Sequence, residues 1–177
     1  MSKWIFALIQ FFPLSTFATY AFWHGIPTNE RWLDAFQIGA VLGLVQLLIV
    51  LLQNKPINRL VLAGNVYLIL GGLAVFFQQW WYLQIYNELR ESAIILLMII
   101  VGTISTLTSP AGFIAVEKSE RKLSLYLLAA TILVAPLAIY FEGERTYSAI
   151  LPIIFLAIFH RYLVFIAKRK IVIENVS

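Results

Sequence analysis

Cysteine is absent from the chain. That excludes disulfides, thiolate metal sites and dithiol redox chemistry. Acids are missing from every long apolar stretch, so an aspartyl intramembrane protease or a carboxylate proton relay has no key residue. No lysine lies inside those stretches to carry a retinal Schiff base, and neither a GxSxG nucleophile turn nor a glycine-rich loop ending in GK[ST] occurs. The two histidines, His24 and His160, are expected near opposite membrane faces, where they cannot share a metal or a haem. No catalytic residue, cofactor or metal site is expected, and the chain reads as a non-enzymatic protein.

Charge is scarce as well: 12% of residues are charged and 61% are apolar, far from the balance of a soluble domain. A bilayer core about 30 Å thick takes roughly 20 residues of apolar helix to cross. Candidate spans run from about Trp4 to Trp23, Ala35 to Leu52, Leu60 to Phe77, Ser92 to Thr108, Leu123 to Phe141 and Ser148 to Ala167. The expected fold is therefore all-α, a single transmembrane domain over residues 1–177 built as a bundle of six membrane helices. The first stretch carries Pro13 and ends without a small-x-small cleavage site, so it reads as a retained helix rather than a signal peptide.

Basic residues in short loops mark the cytoplasmic side. Nine fall on one side: Lys3, Lys55, Arg59, Lys118, Arg121, Lys122, Lys168, Arg169 and Lys170. The other side has Arg31, Arg90 and Arg145, one per loop, beside Glu30, Asp34, Glu88, Glu91, Glu142 and Glu144. Both termini are expected to be cytoplasmic, in a bacterial inner membrane. The net charge of +4 is accounted for by this asymmetry and by anionic lipid headgroups, so nucleic acid is not needed as a partner. Trp23, Trp32, Trp80 and Trp81 gather at the outer boundary, where an amphipathic ring is at home.

Two segments with apolar residues lie between the spans. Residues 78–86, which include Trp80 and Trp81, are expected along the outer interface; residues 111–116, centred on Phe113, are expected along the inner one beside Lys118, Arg121 and Lys122. These three basic residues and Phe113 form the candidate surface for docking lipid or another inner-membrane protein. Close helix approach is expected at Gly39 and Gly43, a GxxxG pair, and at Gly71, Gly72 and Gly102.

Polar residues inside the spans fall into a layer about 7 to 12 Å deep from the cytoplasmic ends, judged at 1.5 Å per residue. Gln10, Gln46, Asn65, Thr103 to Thr106, Thr131, His160 and Arg161 belong to it, whereas the outer halves hold mainly Ser15, Thr16, Thr19 and Gln37. Two readings stand. In one, the amides join helices and Arg161 snorkels to the headgroups. In the other, Gln10, Gln46, Asn65, His160 and Arg161 line a cytoplasm-facing cavity for an anionic headgroup or small anionic solute.

The sequences Phe11-Phe12-Pro13-Leu14 and Leu70-Gly71-Gly72-Leu73-Ala74-Val75-Phe76-Phe77 resemble the intracellular septation protein A family of bacterial inner-membrane proteins. That resemblance implies a non-enzymatic role in envelope integrity and division through contacts with other membrane proteins, and it supplies no active-site residues. The rival expectation is a small-solute or anionic-lipid binding or transport protein. Membrane lipids are partners under either reading, and the oligomeric state is left open.

Overall fold

A computed structural model describes residues 3–23, 25, 28–52, 57–89, 92–116, 121–141, 143–144 and 146–174. The described chain is helical, without strands among the described residues. The helices are α1 (Lys3–Phe22), α2 (Asn29–Leu52), α3 (Arg59–Phe76), α4 (Trp80–Leu89), α5 (Ser92–Thr108), α6 (Arg121–Tyr140) and α7 (Leu151–Glu174), the last entered through a π-helical turn at Thr146–Ile150. Each of the six apolar stretches is thus helical. Four helices are long and apolar enough to cross a membrane, or five when α4 and α5 are taken as one span. The chain is a membrane protein by this measure. His24, Lys55, Arg90, Lys118, Glu142 and Arg145 lie outside the described residues.

Two compact units divide the chain: residues 1–55 with 64–88, and residues 56–63 with 89–177. In the first, an aromatic cluster forms the core. Phe36 of α2 is fully buried and faces Phe17 of α1 at 4.9 Å, Tyr67 of α3 at 5.4 Å and Tyr86 of α4 at 5.6 Å between ring centroids. Trp32 joins this cluster edge-on to Phe17 and Phe36 instead of lying freely at the boundary. Large flat rings bury much area, and their tilted and edge-on contacts add to it. They also require room. A methyl placed on Gly71 would overlap the Phe36 ring, and one on Gly72 would overlap Ala40 and come within 2.9 Å of the Phe36 carbonyl oxygen. Gly39 is tight too, at 3.0 Å from Leu68, while Gly43 would make only an ordinary contact at 3.6 Å.

Helix α4 is a structured version of the expected interfacial segment. The end of α3 is closed by a Schellman pair, Gln79 N–H to Ala74 O at 2.8 Å and Gln78 N–H to Val75 O at 3.1 Å, with Gln78 in the left-handed region at φ 55°. That turn launches α4, which exposes Trp80 and Trp81 and buries Tyr86 in the aromatic core. The Tyr86 hydroxyl donates to the Tyr67 carbonyl at 3.3 Å. Having only one proton, it must accept from the Tyr82 hydroxyl, 3.1 Å away. Burial pushes the Tyr86 phenol well above its ordinary pKa, so it remains a donor.

In the second unit α6 packs against α5 and α7. Leu127 of α6, Ile95 of α5 and Leu156 of α7 are fully buried there. Here the structure corrects one expectation: the centre of residues 111–116 does not lie along a surface, although Ala111, Ala115 and Val116 are partly exposed. Phe113 and Ile114 are both buried, and Phe113 fills the space beside Gly102, where a methyl would come within 2.7 Å of the ring. The absence of a side chain on α5 at that level is what draws the ring inward.

Gly72→Ala is expected to destabilise the protein by about 1 to 3 kcal/mol, because the backbone of α2 and a methyl, not a flexible side chain, stand in the way. Gly43→Ala is expected to stay within about 0.5 kcal/mol. Thermal unfolding in detergent measures both, and equal effects would contradict this packing.

Candidate functional site

The polar side chains singled out by the sequence are placed as follows. In the first unit Asn65 Nδ2 donates to Gln46 Oε1, joining α3 to α2, and both residues are buried. Gln10 is half-buried on α1. In the second unit the His160 Nε2 meets the Ile114 carbonyl oxygen at 3.2 Å, and Arg161 beside it is exposed. The structure therefore brings Gln46 and Asn65 together and gives His160 a backbone partner.

That partner belongs to the turn at residues 109–116, irregular backbone whose centre, residues 112–114, is buried in an apolar unit while Pro110 is exposed. Its polar groups have to be met by the protein. Within the turn, Gly112 N–H donates to Ser109 O at 3.0 Å, and Val116 N–H to Ala111 O at 3.2 Å. Helix α6 supplies Ser124, whose hydroxyl accepts from Ile114 N–H at 3.4 Å, and α7 supplies His160 for the Ile114 carbonyl. A bond from Nε2 to a carbonyl makes Nε2 the protonated nitrogen. Gly112 sits at φ 58°, and a methyl on it would overlap the Ser124 hydroxyl, so glycine is required twice over.

Basic residues gather at the same turn. Arg59 Nη2 approaches the Ser109 hydroxyl at 3.5 Å, and Arg121 Nη2 donates to the Leu107 carbonyl at 3.2 Å. Both contacts lie at the C-terminal end of α5, where cations suit the unmet carbonyls. Arg121 and Lys122 are exposed. Of the expected docking residues these two lie on the surface, Phe113 is interior, and Lys118 is outside the described residues.

The first unit also contains an open cleft of about 720 Å³, lined by Phe12, Ser15, Thr16, Thr19, Tyr20, Trp23 and Arg31. None of the five residues expected to line a cytoplasm-facing cavity, Gln10, Gln46, Asn65, His160 and Arg161, lines it. The hydroxyls of the outer half were noticeable in the sequence, but Arg31 registered there only as a loop charge. The signal that could have found the cleft is the 12, 15, 16, 19, 20, 23 spacing, which sets one face of a helix. Among the described residues no group of three or more His, Asp and Glu side chains could hold a metal ion.

No known protein family, curated protein or solved structure matches the chain.

A double-mutant cycle checks the Gln46 and Asn65 pair. Gln46→Leu and Asn65→Leu are each expected to destabilise by about 1 to 2 kcal/mol, with the double variant less destabilised than the sum by about 1 kcal/mol. Strict additivity in detergent unfolding would show that the bond contributes nothing.

Proposed function

We propose that the chain is a six-span protein of a bacterial cytoplasmic membrane, with both ends on the cytoplasmic side. In this reading it is not an enzyme and serves envelope integrity or division through contacts with lipids and other membrane proteins. The observation that carries the reading is the use made of polar groups within the apolar helices. Asn65 and Gln46 answer one another, Ser124 and His160 answer the 109–116 turn, and Thr131 bonds the Leu127 carbonyl at 2.8 Å. Thr103 and Thr106 bond back to Ile99 and Gly102 of their own helix in the same way. Such side chains build the fold instead of presenting reactive groups.

The surface that remains is apolar and supports lipid contact. Leu52 is 84% exposed and Leu133 77% exposed, as suits side chains solvated by acyl chains. Exposed Arg121 and Lys122, with Lys118, are the docking surface for anionic headgroups or a partner protein. The charge asymmetry of the loops and the resemblance to septation proteins point the same way. A second reading, binding or transport of an anionic lipid or solute, is favoured by the α1 cleft and its Arg31.

The absence of cysteine makes single-cysteine labelling clean. With an impermeant maleimide on intact spheroplasts, Glu30→Cys and Glu144→Cys are expected to react, and Lys122→Cys and Lys168→Cys only after permeabilisation. The reverse pattern would overturn the orientation. Cells depleted of the protein are expected to filament or leak, and a variant with Lys118, Arg121 and Lys122 changed to Ser, still labelled with wild-type topology, is expected not to rescue them. Normal division with an intact envelope after depletion would contradict the role.

A further inference from the structure

Helix α1 buries Pro13, Phe17 and Ala21. The face that carries Ser15, Thr16, Thr19 and Tyr20 is different: it follows the three- and four-residue steps of a single helix stripe and lines the open cleft of about 720 Å³. A stripe facing lipid alone would be expected to be apolar, and its hydroxyls need acceptors, which Ser15 finds in the Phe12 carbonyl of its own helix at 3.0 Å. Arg31, in the first turn of α2, lines the same cleft, and its Nη1 is buried with no hydrogen-bond partner.

We propose that this cleft holds one phospholipid, with the phosphodiester on Arg31 and the glycerol esters along the hydroxyls of α1. A guanidinium presents paired N–H groups that match two phosphate oxygens, and the Arg31 side chain lines the cleft. Thr16 and Thr19 supply hydroxyls in line toward the helix interior, where ester carbonyls would follow the phosphate. Phe12, 56% exposed, supplies apolar wall for the acyl chains. The cleft is of the size that houses a sizeable organic ligand and far exceeds a bare phosphate. Glu30 and Asp34 flank Arg31 in sequence and oppose a ligand of high negative charge, which favours the singly charged diester over a phosphate monoester. The position suits a lipid as well: Arg31 and Trp23 stand at the end of an apolar helix, at headgroup level. The site rests on the membrane reading above and belongs, in the proposed orientation, to the outer leaflet.

The test is native mass spectrometry of the full chain in mild detergent, titrated with a dioleoyl phosphatidylethanolamine and, separately, with dioleoylglycerol, which has the same chains and no phosphodiester. The wild type is expected to retain one phospholipid per chain and no dioleoylglycerol. Arg31→Gln is expected to weaken retention about tenfold, with Arg31→Lys between the two, as loss of a bidentate charged contact predicts. Thr16→Trp, which fills the cleft and leaves Arg31 in place, is expected to abolish retention with unfolding temperature near that of the wild type; it decides the matter should Arg31→Gln fail to fold. Equal retention by Arg31→Gln and Thr16→Trp would overturn the site, and so would equal binding of dioleoylglycerol. Displacement of the phospholipid by millimolar inorganic phosphate would overturn it in favour of a small-anion site. A chain that stays dispersed without detergent would instead overturn the membrane reading, whereas a detergent-requiring chain that retains no phospholipid would overturn the cleft alone.

Discussion

Between the described helices one constraint governs the contacts: a polar group within an apolar interior is costly unless another group meets it. The 109–116 turn is the severest case. It places irregular backbone, with Phe113 and Ile114 buried, among packed helices. Ser124 from α6 takes the Ile114 N–H, and His160 from α7 takes its carbonyl. One residue of the turn is thereby tied to two different helices, and the turn acts as a fastening for the second unit. In the first unit the Gln46 and Asn65 bond does the same between α2 and α3.

Packing and polarity act together at these points. Gly102 leaves the space that Phe113 fills, and Gly112 both adopts φ 58° and clears the Ser124 hydroxyl. Gly71 and Gly72 admit the Phe36 ring and the α2 backbone, which permits the aromatic cluster around Phe36, Tyr67 and Tyr86. Helices in lipid gain little from excluding water between them, so contact at close range must supply the attraction. Small residues opposite large rings provide it.

Much of this was legible in the sequence. The six apolar stretches emerge as helices because length and hydropathy set them locally, and the amides Gln46 and Asn65 were recognisable as buried by their depth within those stretches. Which partner each would find was not, since that depends on the rotation of one helix against another. Phe113 was misread for a related reason. A short apolar run beside basic residues has the composition of an interfacial segment, and only the spacing of Gly102 and Ser124 on neighbouring helices reveals a cavity ready for it. Arg31 was counted as a loop charge; its place in the cleft follows from the return of α2 alongside α1, which no local pattern encodes.

The Ile114 amide reports most directly on whether the turn is fastened. Hydrogen exchange in detergent, followed residue by residue, is predicted to show this N–H protected to the level of the neighbouring α6 amides, with protection lost in Ser124→Ala and the carbonyl side loosened in His160→Leu. Exchange of Ile114 in the wild type at the rate of a solvent-exposed loop, unaffected by either substitution, would contradict the claim that the turn is fastened inside the protein by those two side chains.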